Sequence, residues 1–428
     1  MPSIAPFPAW RYSPQLRADL GQLIAPPYDV ISDERRISLE ARHPHNIVHV
    51  DLPRPRAGEE PYTAAARMLR DWTGAGVLAR DETGSLYACE QRFRSADGAA
   101  ILRRGFFARM RLEAFDARVV LPHERTLESP RADRQRLLAA TRTHLSAVFM
   151  LHPDPAGTVS RLLAGAFDGS SPDEGLDDDG VLNRLVRLEP GGVARTIVEQ
   201  LANEWALIAD GHHRYESALA FRDERRAAGR PDAEQVLVYL CSMADPGLRI
   251  RPIHRLVKGL AYFDAARFRA RLEEFFSLEP MADGDALRTA LQERTDRAGT
   301  FGLTFRGGGG FWLAGWKEGR GLDTAEMSGI PDPLRRLDVI LLHRLVLEGI
   351  LGISTEAQAR QENLEYVKDD AELLGRMSEG RYELGILLNP TRMDQVVEVS
   401  RQGLRLPQKS TFFHPKVPTG LVLDGLDE

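Results

Sequence analysis

Residues 206–229 read "ALIADGHHRYESALAFRDERRAAG", and the hydrophobic period changes partway through. The run 206–210 is apolar and of strand length. From residue 214 onward the apolar positions recur at helical spacing until Gly229 stops them. Asp210, Gly211, His212, His213 and Arg214 therefore form a strand-to-helix turn. Gly211 permits a tight turn and lets a ligand approach the backbone. The amides of 212–215 are the first donors of the helix, and with its dipole they make an anion site. Arg214 adds a planar fork suited to phosphate, and His212 and His213 add donors that titrate near neutral pH. The plainer alternative is an Asp210 N-cap followed by two surface histidines. A metal site competes, but neighbouring helical residues point in different directions and the His-x-x-x-His pair of zinc sites is absent. No metal ligand is assigned.

A second polar stretch, "PHERTL" at 122–127, follows the strand-like "ARVVLP" and precedes a helical pattern in "SPRADRQRLLAATRTHLSAV". A glutamate there, Glu124, becomes a general base if it is buried beside a positive neighbour. An exposed loop with local ion pairs is the alternative. Pockets form where such turns converge, so "PHERTL" is expected beside "DGHHR". "HPHNIVHVD" holds His43, His45, His49 and Asp51. Its "IVHVDL" reads as a strand and the cluster as coincidence. "FDGSSPDEGLDDDG", 167–180, reads as a solvated loop, since it lacks the spacing and final glutamate of a helix-loop-helix calcium site. "LPQKST" lacks the glycine that a Walker loop needs before its lysine. Lys409 and Lys416, in the basic, proline-punctuated tail, either reach an anion or are solvated.

Composition sets the outer limits. The chain has 428 residues, 43% hydrophobic and 28% charged, which suits a soluble globular protein of two to three domains. Cys89 and Cys241 are the only cysteines, which excludes a disulfide framework or a cysteine-based zinc site. The net charge of −6 and the lack of a basic, aromatic-rich stripe argue against a nucleic-acid partner. No apolar run reaches 18 residues and no signal-peptide pattern opens the chain, so no membrane partner and a cytoplasmic location are expected. Strands alternate with helices, as in "SLYACEQRF", "ILRRGFFARMRLE", "LDVILLHRLVLEGILG" and "YELGILLNP". That predicts an α+β, mixed α/β architecture of several layers.

"APPYDVIS", "PHERTL", "ADGHHRYESAL", "LLHRLVLEGILGI" and "KSTFFHPKVPTGLV", in that order, resemble a bacterial and archaeal family catalogued as domain of unknown function 1015. "PHE", an arginine-bearing helix and a strand ending in "DGHHR" are also similar to the ParB and sulfiredoxin-like fold, which includes nucleotide-dependent free-serine kinases. The resemblance implies a loop-rich α/β segment at 1–109, a ParB/sulfiredoxin-like core at 110–245 and a C-terminal α/β domain at 246–428. It implies that Gly211, His212, His213 and Arg214 cradle nucleotide phosphates. Glu124 and Asp210 then fall at catalytic positions, with Arg125 or Arg214 neutralising developing charge.

The expected function is a nucleotide-dependent phosphotransferase acting on a small hydroxylated metabolite such as serine. Its cofactors would be ATP or ADP and magnesium. A non-catalytic nucleotide or phosphometabolite sensor is the alternative, and a ParB-like DNA-binding protein a weaker third. The acceptor, the choice of nucleotide and the oligomeric state are left open.

Overall fold

The computed structural model describes residues 3–95, 98–126, 128–307 and 309–426. The backbone groups into two units: residues 1–122, 126–249 and 415–428 in the first, and 123–125 with 250–414 in the second. The architecture is mixed α/β, with several sheets and flanking helices.

The first unit is built on a nine-stranded mixed sheet. Its strands are β1 (Ile4–Ala5), β2 (Leu86–Arg94), β3 (Ala100–Arg111), β4 (Val120–Leu121), β5 (Val148–His152), β6 (Asp173–Leu176), β7 (Leu182–Leu188), β8 (Ala206–Asp210) and β9 (Gln235–Ser242). They lie in the order β4-β8-β5-β9-β3-β2-β7-β6, with β1 added to β3. The pairs β8–β4 and β9–β5 are parallel. β8 sits one strand in from the edge and is buried on both faces, Ala206, Leu207, Ile208 and Ala209 all lying in the core. Val148, Met150, Ala206, Ile208 and Val238 share one core cluster with Tyr215, Ala218 and Phe221. Those last three come from helix α5. The helices are α1 (Pro61–Gly74), α2 (Glu128–Thr141), α3 (Thr158–Gly165), α4 (Gly192–Leu201) and α5 (His212–Ala227). Tyr215 is fully buried. Its hydroxyl donates to the Glu113 carbonyl at 2.8 Å and accepts the Glu113 amide at 3.0 Å, which locks the first turns of α5 to the chain leaving β3.

Several expectations are corrected here. The boundary at 109/110 falls inside β3, so the first two expected segments share one sheet. Residues 415–428 return to the first unit instead of remaining with a C-terminal domain. Residues 48–51 form a short helix, Val48–Asp51, where a strand was expected. The acidic stretch 167–180 contributes edge strand β6, which pairs with β7. The tail is not solvated. Val417, Thr419, Leu421, Val422, Leu423 and Asp424 are buried, and its backbone bonds to Ala25 and Trp10.

The second unit carries a six-stranded antiparallel sheet. Its strands are β10 (His254–Val257), β11 (Phe276–Met281), β12 (Thr300–Phe305), β13 (Phe311–Trp316), β14 (Leu364–Val367) and β15 (Leu384–Leu388), in the order β11-β13-β12-β15-β10-β14. Helices α6 (Gly284–Gln292), α7 (Asp370–Ser378) and α8 (Met393–Arg401) accompany it. The expected buried helix at 337–352 starts as Asp338–Leu341 and continues over Leu342–Ile350 with wider π-type turns.

Candidate phosphate-binding site

β8 ends at Asp210 and α5 begins at His212, so the junction is where the period change places it. Gly211 has φ +91° and caps the helix without any side-chain bond. The first intrahelical bond runs from the Tyr215 amide to the Gly211 carbonyl at 3.0 Å, so the amides ahead of Tyr215 have no partner within the helix. No acidic residue lies in the first turn. His212 is buried and His213 half-buried.

Asp210 is not the cap. Its carboxylate lies between Arg214, whose Nη2 donates to Oδ2 at 2.5 Å, and Lys416, whose Nζ donates to Oδ1. All three side chains are mostly buried. Burial alone would raise the Asp210 carboxyl, but the Lys416 and Arg214 charges outweigh it and hold it well below the usual carboxylate range. Asp210 is therefore a fixed anion and a poor proton acceptor.

Arg214 also differs from expectation. Its Nη1 donates to the Ala147 carbonyl and its Nη2 to Asp210. The fork folds back over the turn instead of standing free for a phosphate. A Cβ built on Gly211 would meet Arg214 Nε at 2.8 Å and Cζ at 2.9 Å. Glycine is thus required twice, by φ and by space. Gly211→Ala is expected to lower stability by about 1–3 kcal/mol through backbone strain and through displacement of the pinned guanidinium. Urea unfolding of the two proteins, followed by the midpoint, checks this.

Lys416 is the partner that local sequence reading does not reveal, because it stands 206 positions from Asp210. The one available signal is its place in "PKVPTGLVL", where an apolar run follows a lone lysine. A second group joins the site beside Arg214. Arg134 Nη1 donates to Asp51 Oδ1 at 2.8 Å, and its guanidinium lies 4.2 Å from the Tyr28 ring centroid. Burial raises the Asp51 carboxyl, and Arg134 and Arg214 oppose the rise. Asp51, Arg134, Arg214 and Ser217 share a small cavity of about 40 Å³. Asp51 Oδ2 and Arg214 Nε have no hydrogen-bond partner, so the cavity has both the room and the polar groups to hold an ordered water.

The remaining expected residues divide between the units. Thr126 of "PHERTL" belongs to the first and donates to Glu216 on α5. Glu124 and Arg125 belong to the second. Glu124 Oε1 accepts the Lys409 amide at 3.0 Å, and Glu124 forms a parallel bridge with Leu406. Arg125 is exposed. Leu127 lies outside the described residues. Among the described residues no group of three or more His, Cys, Asp or Glu is arranged to hold a metal ion. No helix of the described residues is long and apolar enough to cross a membrane.

The model of one protein family, described as "Protein of unknown function (DUF1015)", matches residues 4–340. No curated protein matches the chain. Among solved structures, a conserved hypothetical protein from Pyrococcus furiosus is 15% identical at a TM-score of 0.36. The match covers 75% of this chain and 95% of that one. A free serine kinase in complex with AMP is 13% identical at a TM-score of 0.37, covering 74% and 92%. SbnI from Staphylococcus aureus, truncated at its C-terminus, is 9% identical at 0.33, covering 72% and 84%. Likenesses this distant assign no activity to this chain.

Proposed function

Since the chain belongs to the DUF1015 family, whose description carries no activity, we propose a function from the site itself: nucleotide-dependent phosphoryl transfer to a small hydroxylated metabolite. The observation that carries the reading is the β8–Gly211–α5 junction. It combines a glycine at φ +91°, a helix first turn without acidic residues, and three cations, Lys416, Arg214 and Arg134, against the carboxylates of Asp210 and Asp51. That surplus of positive charge favours a phosphate chain at the helix start.

In this reading the early amides of α5, with His212 and His213, bind nucleotide phosphates. Gly211 admits their close approach. Arg214 and Lys416 act one step removed, by fixing Asp210 and hence the turn. The acceptor hydroxyl attacks the terminal phosphorus, the bond to the bridging oxygen breaks, and the hydroxyl proton passes to a base. Glu124 is the residue proposed for that role, and Arg125 for neutralising charge that develops during transfer. Such chemistry depends chiefly on positioning and charge stabilisation. ATP or ADP is the proposed donor. Magnesium would arrive with the phosphates, held mainly by them and by water, and would neutralise their charge. A hydroxyl amino acid such as serine is the proposed acceptor, on the sequence resemblance alone.

One observation favours a second reading. Both Nη groups of Arg214 are engaged inside the protein, which leaves no free fork there for a transition state. A nucleotide or phosphometabolite sensor would need only the cradle.

Calorimetric titration with ATP and ADP, with and without magnesium, tests the cradle. His213→Ala is expected to weaken nucleotide binding by about 1 kcal/mol, roughly five-fold, at unchanged melting temperature. Absence of nucleotide binding to the wild-type protein removes the transferase and the nucleotide-sensor readings, and leaves a phosphometabolite sensor to be tested with small phosphate esters. Turnover with any hydroxyl acceptor separates enzyme from sensor.

A further inference from the structure

The second unit buries a guanidinium among neutral partners. Arg255, on β10, is 2% exposed. Its Nη1 donates to the Ile253 carbonyl, and its Nη2 donates to the Lys409 carbonyl at 3.0 Å and meets His343 Nε2 at 3.3 Å. The cation lies 5.1 Å from the Tyr366 ring centroid. None of these partners is a carboxylate, and Nε has no hydrogen-bond partner at all. Burial pulls the Arg255 pKa down to about 10, which leaves it charged near neutral pH. Tyr366 and the Glu124 carboxylate, which holds the Lys409 amide, oppose that fall. A buried charge satisfied only by neutral groups is costly unless an anion reaches it.

The same guanidinium forms part of the wall of a polar cleft. Arg297, Arg392 and Ser410 line it too, and α8 opens onto it through Arg392 and Gln395. α8 is nine residues long and its dipole favours an anion, but its first turn is partly occupied: the Arg392 guanidinium donates to Asp394 at 3.2 and 3.3 Å, and the Arg392 amide donates to Gln395 Oε1 at 3.0 Å. Lys409, beside the cleft, is held in the left-handed region at φ +58°. Its amide is bound to Glu124 and its carbonyl to Arg255, a strained conformation kept by contacts on both sides. One carboxyl shares the wall. Asp338 Oδ1 accepts the Gly299 amide at 2.6 Å, and burial raises its pKa to about 6. It can therefore carry a proton that would otherwise be missing when a dianion approaches. The enclosed space is only about 20 Å³, room for one or two oxygen atoms. A ligand would enter by a terminal group and leave its body outside.

We propose that this cleft of the second unit binds a phosphate dianion, either free or at the end of a small phosphate monoester, through Arg255, Arg297, Arg392 and the start of α8. Its residues all belong to the second unit, and the proposal does not rest on the α5 reading.

Titration of the full-length protein with inorganic phosphate, and separately with glycerol 3-phosphate, tests this. Arg297→Ala and Arg392→Ala alter side chains at the cleft's rim. Their double variant is expected to weaken phosphate at this site about ten-fold or more, as expected for lost charge-assisted bonds, with an unchanged melting temperature. His213→Ala, in the α5 cradle, is expected to leave this site intact. Tighter binding of the monoester identifies an organic phosphate as the ligand, and tighter binding of the free ion identifies phosphate itself. Arg255→Gln removes the charge but keeps a polar, unbranched side chain, and is expected to abolish binding. If it unfolds the protein, the rim variants still decide. A double variant that binds as tightly as wild type, a wild-type protein that takes up neither ligand in the millimolar range, or binding removed only by cradle variants overturns the proposal.

Discussion

Glu124→Gln is expected to lower turnover by about 10²- to 10⁴-fold, the usual contribution of a positioned general base, while nucleotide affinity stays unchanged. The substitution discriminates because of what Glu124 does in the fold. Its Oε1 accepts the Lys409 amide, and the glutamine carbonyl oxygen can accept the same bond. Structural support of Lys409 therefore survives the change, but basicity does not. If Glu124 serves only to hold the Lys409 turn, Glu124→Gln turns over like wild type and Glu124→Ala is the damaging variant. Equal losses of turnover in both, with matching melting temperatures, mark a base. A fall in nucleotide affinity with either variant contradicts the assigned role. A sensor has no turnover to lose, and for it only Glu124→Ala should register, as lower stability.

The second large effect concerns the anchor under the cradle. Asp210→Ala leaves the Lys416 and Arg214 cations mostly buried without their carboxylate. Breaking a buried pair from one side costs about 3–5 kcal/mol, to be read from urea unfolding. Removing the stranded cation should recover part of the loss, so the Asp210→Ala, Lys416→Met double variant is expected to be more stable than Asp210→Ala alone. The same carboxylate sets a pH signature. Its folded pKa is depressed, so its stabilisation is fully present above the unfolded value of about 3.9. It is lost as pH falls through the lower folded value. Wild type should lose this increment below about pH 4, and Asp210→Ala, which lacks the group, should not. Parallel acid curves for the two proteins would show that the pair contributes nothing.

The sequence by itself determined whatever depends on neighbours in the chain. The β8–Gly211–α5 junction was legible because the apolar period changes from that of a strand to that of a helix at a glycine. The hairpin of β2 and β3 and the pairing of β15 with a following helix were legible for the same reason. The exclusion of a disulfide framework needed only a count. Tertiary structure decided the rest. Asp210 reads locally as the start of an anion-binding turn or, more plainly, as a cap, yet its partners are Arg214, one turn on, and Lys416, 206 positions away. Arg214 reads as a free fork, yet the approach of β5 offers it the Ala147 carbonyl. Residues 48–51 alternate like a strand but coil into a short helix, where Asp51 meets Arg134. The basic tail leaves open whether its lysines reach an anion or are solvated, and the fold buries it against Trp10 and Ala25 with Lys416 on Asp210. In each case the local pattern fixes the backbone conformation or leaves it open. The partner of a charged side chain depends on which distant segment the packed core brings within about 3 Å, and no local period encodes that.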